Sequence, residues 1–163
     1  MNRIVLLNLA AVAVSCVPID GGAVEVNWVV RSQDGRAITE CTCSEPPIVY
    51  VRLKLVGVRP AEIAGAEPCK NDVRCGFGCQ TQTGASPFNI KPGFYQMSIS
   101  PTDAVGYDLT TPNANGTQRV KVPAPVLREV VFGQPTQLDA FPITAGCADA
   151  CGGANRNQEC SRP

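Results

Sequence analysis

Apolar and polar positions alternate from residue 24. Val24, Val26, Trp28 and Val30 share one register, and Glu25, Asn27, Val29 and Arg31 the other. A period of two predicts a strand with one buried face. The alternation returns at Val49, Val51, Leu53 and Leu55 against Tyr50, Arg52, Lys54 and Val56. It returns again at Tyr95, Met97 and Ile99 against Gln96, Ser98 and Ser100. Shorter runs predict further strands at Phe88–Ile90, Arg119–Val122, Leu127–Phe132 and Leu138–Ile143. Asp34-Gly35 and Pro92-Gly93 mark turns, Asn115-Gly116 is a strong hairpin signal, and Gly133-Gln134-Pro135 separates the last two runs. Residues 57–72 carry little pattern and read as a loop.

No stretch sustains a helical period. Seven to eight short strands, spaced about ten residues apart, predict an all-β chain of immunoglobulin-like or related sandwich type. The composition agrees: 15 Gly and 14 Pro are dispersed through 163 residues, favouring turns over helices. Lys+Arg and Asp+Glu are equal at 14 each. A chain without net charge has no general field to attract nucleic acid, so no nucleic-acid partner is expected. Histidine is absent. That excludes Ser-His-Asp and Cys-His nucleophile systems and removes the commonest transition-metal ligand.

The first residues carry an address. Met1-Asn2-Arg3 gives one positive charge, and Ile4 to Val14 is apolar except for Asn8. Eleven residues at ~1.5 Å each cannot cross ~30 Å of hydrocarbon. The segment fits a signal-peptide core. It ends in Ala13-Val14-Ser15-Cys16, which resembles the bacterial lipobox, where small residues precede a cysteine that is lipidated and becomes the new N-terminus. Ala13 stands where a larger aliphatic residue is usual. The alternative is simple secretion after cleavage at Ala13, with Cys16 left as a thiol. Val17, rather than Asp, after the cysteine resembles the outer-membrane class of lipoproteins. The expected organisation is a signal peptide at 1–15, the lipidated Cys16 and a short tether at 16–22, a β-sandwich at 23–144, and a cysteine-rich tail at 145–163.

Cysteine parity points to the same residue. There are nine: Cys16, Cys41, Cys43, Cys69, Cys75, Cys79, Cys147, Cys151 and Cys160. With Cys16 lipidated, eight remain, enough for four disulfides in an oxidising compartment. Their x1 and x3 spacings differ from the Cys-x2-Cys pairs of zinc sites. The pairing is left open. Neighbouring Cys41 and Cys43 are expected to reach different loops, and Cys75-Gly-Phe-Gly-Cys79 reads as a pinned turn or short strand.

A Val-Glu-Val-Asn-Trp28 strand and an early cysteine loop are followed by Ile-Val-Tyr50-Val-Arg-Leu and a mid-chain cysteine loop. Phe88-Asn-Ile-Lys-Pro-Gly-Phe-Tyr95 comes next, then Asp103 with Gly106, and a last strand ending at Phe141-Pro142. This order resembles uncharacterised envelope lipoproteins of myxobacterial type. The Pro-Gly-x-Tyr95 segment also resembles transthyretin-like, carboxypeptidase-regulatory-like sandwich modules. The resemblance spans Trp28 to Pro142. It implies an envelope β-sandwich and supplies no catalytic residues.

Trp28 falls on the apolar register and is expected in the core. Tyr50 falls on the polar register and is the one weak candidate for a binding aromatic. Asp103 and Asp108, near Gly106, could hold calcium or act as a paired acid and base, but turn chemistry accounts for them more simply. The sequence therefore predicts a non-catalytic binding or scaffolding module, without cofactor or metal. It is anchored to a membrane by lipid and serves an envelope protein or polysaccharide. The alternatives are a carboxylate-based polysaccharide hydrolase or a secreted ligand-carrying module.

Overall fold

A computed structural model describes residues 19–148. The expected signal peptide at 1–15, Cys16 and the first residues of the tether, and the tail from 149 with Cys151 and Cys160 lie outside the described residues. Among the described residues nine strands are present: β1 (Ala23–Ser32), β2 (Ser44–Glu45), β3 (Tyr50–Arg59), β4 (Gly76–Gly78), β5 (Thr83–Ala85), β6 (Gly93–Thr102), β7 (Val126–Val130), β8 (Pro135–Gln137) and β9 (Phe141–Cys147). They form two sheets. The larger runs β2-β9-β1-β5, with β8 also on β1, and the smaller runs β4-β3-β6-β7. Among the described residues strand is the dominant regular element, as the alternation requires. The strands outnumber the seven to eight expected because several span only two or three residues.

Both sheets feed one core. Val24, Val26, Trp28 and Val30 of β1 meet Val51, Leu53 and Leu55 of β3, Tyr95, Met97 and Ile99 of β6, and Phe141 and Ile143 of β9. All of these are buried. At one sheet edge Phe77 of β4 stacks on Trp28, with ring centroids 6.1 Å apart. Gly84 of β5 lies directly against the Phe77 ring, so any side chain at 84 would strike it. At the other edge Thr136 of β8 donates to the Glu129 carbonyl of β7 (2.8 Å).

Three expected strands differ. Arg119–Val122 makes only one isolated bridge, Lys121 to Thr144. Val120 is fully buried, so the apolar signal there reports a chain lying on the core. Pro123 and Pro125 then remove donors that a ladder would need. Phe88–Ile90 likewise reduces to a bridge between Ile90 and Gly22. Leu138–Ile143 is broken. β8 and β9 run parallel to the first and second halves of β1, and the chain jogs through residues 138–140 between them. β9 then continues to Cys147, pairing with β2, beyond the expected end of the last strand. Asn115-Gly116 is a turn with no flanking strands. The Asn113 side chain accepts from the Asn115 and Thr117 amides there.

Two tethers set the corners. The buried Tyr95 hydroxyl donates to the Lys91 carbonyl four residues upstream (2.8 Å), fixing the Pro92-Gly93 turn into β6. Burial pushes its phenol pKa up. The Trp28 indole donates to the Cys79 carbonyl (2.9 Å), and Cys79 is bonded to Cys41. The first-strand tryptophan is thus locked to the disulfide that joins the two cysteine loops.

Candidate functional site

The outer face of the smaller sheet is polar along its centre. On β3, Tyr50, Arg52 and Lys54 point outward, opposite Thr102, Ser100 and Ser98 of β6. Their inward neighbours Val51, Leu53 and Leu55 are buried, so strand alternation alone places this row. Residues 60–72 fold back over the end of β3. Gly57 permits this: its amide donates to the Ala66 carbonyl (2.8 Å), and the Gly65 amide donates to the Gly57 carbonyl (2.8 Å). A side chain at Gly57 would collide with the Ile63 backbone. The far end of this loop is clipped by Cys69–Cys75.

Between loop and sheet lies a cleft of about 330 Å³, lined by Arg52, Lys54, Val56, Glu67, Lys70 and Ser98 among others. Two of its cations are paired. Lys70 pairs with Glu67 (2.5 Å), and Lys54 pairs with Asp108 (2.6 Å). Arg52 donates to the Lys70 carbonyl (3.3 Å), which bridges strand and loop, and has no ion-pair partner among the described residues. Three cations therefore face two carboxylates, and one positive charge remains uncompensated.

Asp108 is the most perturbed group in this region. Partial burial pushes its carboxyl up, but hydrogen bonds from Lys54, Thr110 and Ser100 outweigh that and hold it down at about 2. At neutral pH it is a fixed anion and has no proton to give. Asp103 uses its carboxylate to accept from the Val105 and Tyr107 amides (3.0 and 2.8 Å), the turn chemistry expected of it. Asp103 and Asp108 thus turn to separate partners. Among the described residues no cluster of three or more metal-ligating side chains occurs.

Trp28 is 1% exposed and belongs to the core, whereas Tyr50 is 46% exposed and stands beside Arg52 on the same face. The disulfides Cys41–Cys79 and Cys69–Cys75 pin both ends of the short strand β4. Cys43 and Cys147 are disulfide-bonded as well. All six described cysteines are oxidised, and Cys41 and Cys43 do not bond each other. Sequence reasoning missed Arg52, Lys54 and Lys70. The signal that could have found the first two is the concentration of cations on the polar register of β3. No protein-family model matches the chain, and neither a curated protein nor a solved structure was found to resemble it.

Proposed function

We propose that this protein is a lipid-anchored module of the bacterial envelope, fixed through Cys16, which binds an acidic envelope polysaccharide without catalysing a reaction. The fold reading beneath this is an immunoglobulin-like or transthyretin-like sandwich. Two features support it: a buried tryptophan whose indole is tied to the carbonyl of a disulfide-bonded cysteine, and a tyrosine that ties its hydroxyl to an upstream carbonyl at a strand-start turn. The second resembles the tyrosine corner of such sandwiches. The oxidised cysteines support an address outside the reducing cytoplasm. The lipobox-like Ala13-Val14-Ser15-Cys16 and the odd cysteine count support the anchor.

The observation that carries the binding role is the clipped cleft with Arg52 at its wall. Arg52 lacks a carboxylate partner there, and its planar guanidinium suits bidentate contact with a carboxylate. Tyr50, two residues along the same strand face, offers an exposed ring against which a sugar can stack. The test is equilibrium binding of the folded protein to polygalacturonate and to neutral dextran. Arg52→Ala is expected to weaken binding to the acidic polymer about tenfold, the loss of one charge-assisted contact. Rising salt is expected to weaken it in the wild type. Equal affinity for the two polymers, or an Arg52→Ala variant that binds as the wild type does, contradicts the reading.

A further inference from the structure

The described chain begins at the end of the molecule where β1 and β6 start. The Asp20 amide donates to the Phe88 carbonyl (3.0 Å), the Gly22 amide to the Ile90 carbonyl (2.8 Å), and the Gly133 amide to the Gly21 carbonyl (3.0 Å). Residues 19–22, 88–90 and 131–134 therefore converge on one end. Gly21 and Gly22 make the convergence possible, since a side chain at either would strike neighbouring backbone. Four large apolar side chains at this end stand in solvent: Ile19 is 52% exposed, Phe88 36%, Val131 42% and Phe132 58%. Phe132 rides a tight turn in which the Gln134 amide closes on the Val131 carbonyl (3.3 Å) and Gly133 has positive φ (69°). Packing in the core does not explain this exposure.

We infer that this end of the domain is a membrane-contact surface, with Phe132 and Ile19 seated in the lipid headgroup region. The inference rests on the Cys16 anchor proposed above. Cys16 precedes Ile19 by three residues, which reach at most about 10 Å. A lipid on Cys16 thus brings this end, and no other, against the bilayer. Aromatic and aliphatic side chains at that depth leave water for the interface. Charges of both signs lie near the patch: Asp20 and Lys91 are next in sequence to its segments, and Glu129 and Arg59 both stand opposite Phe94 at the start of β6. Contact is therefore expected on zwitterionic lipid as well as anionic lipid.

The test uses the full lipidated protein in phosphatidylcholine vesicles, with lipids brominated at the top of their acyl chains, next to the headgroups, as quenchers. Trp28 is buried and supplies the unquenched baseline. Phe132→Trp adds a reporter at the proposed contact. Val105→Trp adds one in the 103–107 loop after β6, about 30 Å away along that strand. The Phe132→Trp reporter is expected to lose about half its emission on brominated vesicles, and the Val105→Trp reporter none. If the protein carries acyl mass and floats with vesicles but neither reporter is quenched, the contact surface is overturned and the anchor stands. A chain without acyl mass that stays in solution overturns both. Equal quenching of the two reporters shows a molecule lying on its side and contradicts the proposed orientation.

Discussion

Asp108 is subject to two opposing effects, burial and hydrogen bonding, and hydrogen bonding prevails. Its carboxyl lies at about 2 in the folded protein, against roughly 3.9 in an unfolded chain. The folded state therefore favours the ionised form. That stabilisation is fully present above the unfolded value and is lost as pH falls from about 4 to about 2. Lys54 is half exposed, so solvent screens the pair and the contribution is about 1–2 kcal/mol. Asp108→Asn is expected to cost that much at pH 7 and almost nothing at pH 2, as urea unfolding at several pH values reads it. Parallel pH profiles for variant and wild type would contradict the account. Much of the residue-scale picture was legible in sequence: period-two registers send Trp28 inward and leave Tyr50 exposed. The Lys54–Asp108 pair was not, because its members are 54 residues apart. Nothing local to Asp108 distinguishes it from any aspartate in a Gly/Pro turn.

The long strands β1, β3 and β6 were legible because each alternates over six or more residues, with one face buried. The short pieces were not. Val120 and Leu138 are buried without belonging to a ladder, and apolar spacing reports contact with the core whether or not backbone hydrogen bonds follow. The parallel pairing of β8 and β9 with β1 joins the two ends of the described chain, and no local pattern encodes it. Disulfide pairing was equally closed to sequence. Once known, it gives a stability order. Cys41–Cys79 closes a separation of 38 residues and Cys69–Cys75 one of 6. Loop-closure entropy assigns about 4 kcal/mol to the first and about 2 kcal/mol to the second. Cys41→Ser/Cys79→Ser is therefore expected to unfold at markedly lower denaturant than Cys69→Ser/Cys75→Ser. The second pair of substitutions frees one end of the cleft loop and is expected to weaken polygalacturonate binding more than it weakens the fold. If the shorter clip proves the more stabilising, the entropic account of these crosslinks fails.

For the whole molecule, the proposal joins the described core, the oxidised cysteines, the cleft and the apolar end into a body that works outside the cytoplasm, close to a bilayer. The core comes from two sheets, and disulfides hold the loops that the sheets leave uncovered. Zero net charge leaves the proposed recognition to local features such as Arg52 rather than to a general field. The central claim is that Cys16 is lipidated and the other eight cysteines are paired. The direct test is the intact mass of the protein extracted from bacterial membranes, with thiols alkylated before and after reduction. The account predicts a chain beginning at Cys16 with added acyl mass, no label before reduction, and eight labels after it. A chain beginning at Val14, with no acyl mass and one thiol labelled before reduction, would contradict it and make this a secreted protein.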